Sequence, residues 1–114
     1  MNNLRNRVTL IGRLGKDPET TEFATGKSVT RFSLATSDNY TNAEGKKIEN
    51  TQWHSVAMFG KSGEIAQKYL VKGREVAVEG KLEYQSFEDK EGVSRNKTEV
   101  IANDLVMLGG KKPD

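Results

Sequence analysis

Ten consecutive residues, Gln52-Trp53-His54-Ser55-Val56-Ala57-Met58-Phe59-Gly60-Lys61, gather the side chains of this sequence best suited to engage a ligand. Read as a strand, with side chains alternating in direction, the run puts Val56 and Met58 on one face and Trp53 with Phe59 on the other. A half-buried strand usually gives that second face to polar groups. Trp53 is the only tryptophan of the chain, and large rings on a solvent-side face require a partner with flat, apolar surfaces. Unpaired nucleobases are one such partner. A second copy of the chain, burying the same rings in an oligomer contact, is the other.

Other chemistries find little support. His54, the lone histidine, has core-side parity, with no cysteine or second histidine to join it. It therefore reads as a hydrogen-bonded structural or interface residue, and no metal site is expected. Gly12-Arg13-Leu14-Gly15-Lys16 lacks the phosphate-loop spacing, and no helical pattern follows it. No Ser-His-Asp or paired-carboxylate arrangement stands out, so neither an enzyme nor a cofactor is expected.

The elements that must position the aromatic run are mostly strands. Residues 7–13 are β-branched and aliphatic, and Asp17-Pro18 breaks that strand. Residues 28–36 form the next, with Phe32 and Leu34 on one face. A polar stretch over 37–50, with its tip at 42–46, reads as a long loop, and residues 53–59 as the third strand. Ile65, Ala66, Tyr69 and Leu70 then recur at helical spacing over 62–70, with Ser62 as N-cap, Glu64 in the first turn and Gly73 as the C-terminal glycine. Residues 75–87 alternate again, placing Val76, Val78, Leu82 and Tyr84 on one face, and Gly80 suggests a bulge or corner. After a hairpin tip at Asp89-Lys90-Glu91-Gly92, a last strand starts near Thr98 and runs toward Leu108. Three strands, a short helix and two more strands match the all-β, five-stranded Greek-key barrel called the OB-fold.

At 114 residues the chain is one domain. Its 18 Lys and Arg against 16 Asp and Glu leave a net charge of +2, so contact with a polyanion must come from local patches. Without cysteine there are no disulfides, and the start carries no apolar leader, so a soluble cytoplasmic protein is expected. Outward parity falls to Arg7, Arg13, Arg31, Trp53, Phe59, Lys81 and Phe87, while Tyr40 and the Lys46-Lys47 pair sit in the long loop. Aromatics and cations interleaved in this way are what a stacking platform for single-stranded nucleic acid requires, with Arg7, Arg13, Arg31, Lys46 and Lys47 facing phosphates. Glu75, Glu79 and Glu83 share the outward parity of Phe87 and would repel phosphate in their path.

In order and spacing, a series of strings resembles the bacterial single-stranded DNA-binding protein family, which carries one OB-fold per chain. These are Asn6-Arg7-Val8, Gly12-Arg13-Leu14-Gly15-Lys16-Asp17-Pro18-Glu19, Leu34-Ala35-Thr36-Ser37, Thr51-Gln52-Trp53-His54-Ser55-Val56, Phe59-Gly60-Lys61, Tyr69-Leu70-Val71-Lys72-Gly73, Val78-Glu79-Gly80-Lys81-Leu82 and Met107-Leu108-Gly109-Gly110. The resemblance implies an OB-fold domain over 1–110 that coats single-stranded DNA in replication, recombination and repair, near the nucleoid. It implies base stacking on Trp53 and Phe59, and on Tyr40 and Phe87 where the family usually has tryptophan. It implies phosphate contacts at Arg7, Lys61 and Lys72, a subunit interface at His54, and a homotetramer. Glu83, Gln85 and Ser86 stand where the family tends to be basic, which thins the support around Phe87. The chain ends Gly110-Lys111-Lys112-Pro113-Asp114 without the family's acidic tip, so recruitment of replication or repair proteins by that route is not expected. A primosome-associated or RNA-binding OB-fold protein is the alternative.

Overall fold

Alternating apolar residues drive a sheet that closes on itself. The computed structural model describes residues 4–108, in the order β1 (Val8–Leu14), β2 (Glu19–Glu22), β3 (Ser28–Thr41), β4 (Lys47–Phe59), α1 (Gly60–Tyr69), β5 (Glu75–Glu88) and β6 (Ser94–Met107). Gly109, Gly110 and the terminal residues 111–114 lie outside the described residues. The strands follow the order β1-β5-β6-β4-β3-β2, and a further β1–β3 pairing, Arg13↔Ala35 and Leu14↔Leu34, closes the barrel. All pairs are antiparallel except β4–β6, which run parallel through Val56↔Val100 and Ala57↔Ile101. This is the OB-fold, with the helix between the third and fourth strands of the barrel. The four-residue β2 is an addition, paired with β3, in the stretch after Asp17-Pro18 for which the sequence suggested no element.

Leu14, Phe32, Leu34, Val56, Met58, Val76, Val78, Val100 and Ala102 line the interior, and Ala66 of α1 with its C-cap residue Leu70 plugs one end. Two glycines permit the tight closure. A Cβ on Gly12 would overlap the carbonyl oxygen of Ala35, where β1 crosses β3, and one on Gly80 would overlap that of Ile101. The β5–β6 register shifts between Glu79 and Gly80, so the expected bulge is present and turns the strand around the barrel corner.

The long loop over 37–50 is instead a β-hairpin. β3 and β4 stay paired without a register break from Val29↔Phe59 to Thr41↔Lys47, so Tyr40 and Lys47 are strand residues and only the tip is a turn. Pairing outlasts the apolar alternation because the turn chemistry is strong. Residues 23–27, 42–46 and 89–93 share one design, with a glycine at φ +88, +80 and +80 in the fourth position. Such a turn, ending in a left-handed residue, matches the twist of the strands it joins. In the second turn Asn42 Oδ1 accepts the N–H groups of Glu44 and Lys46, both at 2.9 Å, and in the third Asp89 Oδ1 accepts those of Glu91 and Val93, both at 2.9 Å. β5–β6 likewise extends beyond the barrel, which leaves Tyr84 exposed although its parity is that of the core.

The helix differs from expectation at both ends. It starts at Gly60 with Phe59 as N-cap, and no side chain caps it. Ser62 is therefore helical, and Glu64 instead accepts the Ser28 hydroxyl at 3.1 Å. Gly73 is not the helix-terminal glycine; at φ +87 it completes a turn in which the Arg74 N–H bonds the Val71 carbonyl at 3.1 Å. Ile65 and Tyr69 face outward, and the residues the helix segment buries against the barrel are Gly63, Ala66 and Leu70. No helix among the described residues is long and apolar enough to cross a membrane.

Two outcomes follow from this geometry. Gly80→Ala forces a methyl into the Ile101 carbonyl and should cost about 1–3 kcal/mol, whereas Gly45→Ala at an open tip pays only the left-handed backbone penalty of about 1–2 kcal/mol. Urea unfolding should show Gly80→Ala as the more damaging; equal midpoints would contradict the close crossing. At the third turn the Arg95 guanidinium, and then the Val93 N–H, hold the Asp89 carboxyl below the usual aspartate range. A depressed carboxylate stabilises the tip fully above the unfolded value near pH ~3.9 and loses that contribution as the pH falls below it. Amide exchange at Val93 should accelerate in Asp89→Ala but not in Asp89→Asn, because Asn42 performs the same acceptor role in the neighbouring turn.

Candidate nucleic-acid interface

Barrel closure commits one parity of every strand to the core and leaves the other to the outer face. Trp53 and Phe59 take the outer parity of β4, and Phe87 takes that of β5, on the same continuous surface. They are 62%, 51% and 49% exposed. Phe59 is six residue steps along the extended strand from Trp53, roughly 20 Å at the usual rise. Tyr40 is 53% exposed but pairs with Ile48 at core-side parity, so it stands on the opposite face of the β3–β4 ribbon. The structure thus brings three of the four aromatics onto one surface and sets the fourth behind an arm.

Each ring has a local reason for its pose. Trp53 lies opposite Ala35, and Ala35 opposite Arg13, forming one row across three strands. A Cβ on Gly15 would come 2.5 Å from Cζ3 of Trp53, so the indole in this pose rests directly on a glycine and any side chain there would displace it. The Gly15 N–H is fixed to the Ser33 carbonyl at 3.0 Å. Phe59 lies opposite the buried Val29, and Gly60, at φ +71, turns the chain into α1 so that Lys61 follows in the first helical turn. Phe87 lies opposite Arg95 near the tip of the β5–β6 arm.

The cations divide into two groups. Lys46, Lys47, Lys61 and Lys72 are exposed, and among the described residues no ion pair engages them. The arginines are held: Arg7 by Glu79, Arg13 by the Gly73 carbonyl at 3.0 Å, and Arg31 by Glu99 at 2.8 Å. His54 is half-buried, with Nε2 2.9 Å from the Thr36 hydroxyl, as a hydrogen-bonded structural residue requires. Sequence reasoning missed Glu99 and Gly15. Alternation makes Glu99 one outward carboxylate among many, and only the β3–β4–β6 register brings Arg31 to it. Gly15 stands out only as part of a string that lacks the phosphate-loop spacing, and nothing in that string places it under an indole.

Residues 5–108 match the model of the single-strand binding protein family. A single-stranded DNA-binding protein of Xanthomonas campestris pv. campestris is 46% identical over 106 residues, covering 93% of this chain and 62% of that protein. Single-stranded DNA-binding protein 1 of Chlorobaculum tepidum is 45% identical over 107 residues, covering 93% of this chain and 66% of its own length. The chain therefore spans less than two thirds of the length of these relatives. Among solved structures, a Plasmodium falciparum SSB complex with ssDNA superposes with a TM-score of 0.84 at 30% identity, covering 95% of this chain and 99% of that one. A deletion mutant of the Thermus aquaticus single-stranded DNA binding protein gives 0.80 at 30% identity, covering 93% and 51%. With this closed barrel, this arrangement of strands and these relatives, the chain belongs to the single-strand binding protein family.

Proposed function

We propose that the chain binds single-stranded DNA with little regard to sequence and protects it during replication, recombination and repair. The observation that carries the reading is the outer face on which Trp53, Phe59 and Phe87 stand exposed, flanked by lysines that have no carboxylate partner among the described residues. Every base has a π-face, so stacking, worth roughly 1–3 kcal/mol per base, needs no particular sequence. Lys46, Lys47, Lys61 and Lys72 supply phosphate contacts, and Arg7 and Arg13 join them by exchanging their present partners. Duplex DNA is excluded because its bases are already stacked on one another. Tyr40 stacks where the strand passes around the β3–β4 arm. The action is binding without catalysis, at DNA in the cytoplasm.

The same reading includes a homotetramer. Along Val8–Leu14 the strand β1 pairs with β5 on one side, but it meets β3 only at Arg13 and Leu14. The remaining edge, from Val8 to Gly12, is open, and an open edge of β-branched residues invites a second strand. Thr36 is the first β3 residue past the β1–β3 pairing, and His54 is hydrogen-bonded to it. Light scattering should give four times the chain mass; a monomer would overturn this part of the proposal.

Oligo-dT titration tests the binding face directly. Trp53 fluorescence should be quenched on saturation, with an affinity that falls as salt rises. RNA of equal length should bind more weakly, and an equal preference would favour an RNA-binding role. Trp53→Ala should weaken binding by roughly 1–3 kcal/mol with little change in stability. Gly15→Ala should leave the fold intact yet shift the Trp53 emission and reduce affinity, because the added methyl displaces the ring. Unchanged emission would show that Gly15 does not set the indole's position.

A further inference from the structure

Between Trp53 and Phe59, the outer face of β4 carries only Ser55 and Ala57, so the middle of the surface is built by its neighbours. Glu99 of β6 is the central one. It has outward parity, yet it is 1% exposed. Its Oε2 accepts the Nε–H of Arg31 at 2.8 Å and the Ser55 hydroxyl at 3.5 Å, with Lys97 Nζ at 3.6 Å. Its Oε1 is buried without a partner. A carboxylate in that position is costly to desolvate and is weak evidence for stability. Its effect on Arg31 is specific. Arg31 pairs with Ala57, and Ala57 with Ile101, so to reach Glu99 the arginine must cross β4 over its two small residues. The Arg31 side chain remains 41% exposed, covering Glu99 with one side and meeting solvent with the other.

We propose that Glu99 is a positioning residue that holds Arg31 across β4 as a flat stacking surface between Trp53 and Phe59, so that the centre of the path takes bases and not phosphates. The inference rests on the nucleic-acid reading of this face. Guanidinium planes stack on bases as aromatic rings do. With its Nε bonded to Glu99 and its charge offset there, Arg31 offers a plane more than a free cation. Lys97 is offset by the same carboxylate. Removing the charge of Glu99 should therefore turn two quiet cations into phosphate ligands.

Oligo-dT affinity across a salt series, in wild type, Arg31→Lys, Arg31→Gln and Glu99→Gln, reads this out. Arg31→Lys and Arg31→Gln should weaken binding alike, about fivefold or more, the lower end of the loss of one stacked base. Both should leave the slope of log affinity against log salt unchanged. Glu99→Gln should steepen that slope by ~0.7 for each cation released. Without DNA, the Arg31 Nε–H resonance should exchange slowly in wild type and rapidly in Glu99→Gln. Wild-type affinity in Arg31→Lys would show that charge alone suffices and overturn the proposal. So would a slope flattened by ~0.7 in Arg31→Gln, or one unchanged in a folded Glu99→Gln. Should Glu99→Gln fail to fold, the two Arg31 variants decide alone. A wild type that binds no DNA overturns the nucleic-acid reading itself, whereas these slopes, with wild-type binding intact, judge Glu99 only.

Discussion

The short contact of β1 with β3 is the constraint on which the rest depends. It is two residue pairs long, Arg13↔Ala35 and Leu14↔Leu34, and Gly12 allows it because any side chain there would meet the Ala35 carbonyl. Once the sheet is closed, every strand has an inside and an outside. Leu34 and Val56 become fully buried, and Ala35, Trp53 and Arg13 are turned outward as a consequence. Closure also carries Gly15 under the indole, since the chain leaving β1 must pass beside β4. Core and outer aromatic face are two results of one pairing.

Two ribbons continue beyond the barrel, and they extend the surface without extending the core. β3–β4 runs on to Thr41↔Lys47 and β5–β6 to Glu88↔Ser94, long after apolar alternation has stopped. Hydrogen bonding and five-residue turns sustain them, so their side chains are free to be polar or aromatic. Exposed rings there cost little, because no interior competes for them. This explains why Phe87 reaches solvent on an arm, while Trp53 and Phe59 need the barrel wall behind them.

Much of this was legible in the residues. The alternation of Val76, Val78 and Leu82, the corner glycine Gly80 and the helical spacing of Ala66 and Leu70 each reported a local preference that the fold keeps. The outward parity of Trp53 and Phe59 followed from the same alternation. What failed was decided by partners distant in sequence. Polar residues 37–41 and 47–50 look like loop because their strand character comes from facing each other. Ser62 looks like a cap because nothing local shows that Gly60 has already turned the chain. Tyr40 looks like a loop residue, whereas the unbroken register makes it a strand residue on the far side of the β3–β4 ribbon from Trp53. Glu99 is the extreme case, since its burial exists only when three strands are side by side.

That last residue also resolves an apparent conflict in the charge balance. A chain of net charge +2 is a poor polyanion trap, and the acidic residues of β5 weaken it further. The structure separates these charges by place. Glu99 occupies Arg31 between Trp53 and Phe59 and Glu79 occupies Arg7 on the β1–β5 side of the barrel, while Lys46, Lys47, Lys61 and Lys72 have no carboxylate partner among the described residues. A strand crossing such a surface meets flat groups at the centre and cations at the edges. Bases, which are flat and uncharged, match the first; phosphates match the second. On the proposed reading, sequence-independent binding would follow from where the charges are offset, and a low net charge would limit the attraction of duplex DNA, whose phosphates are accessible but whose bases are not.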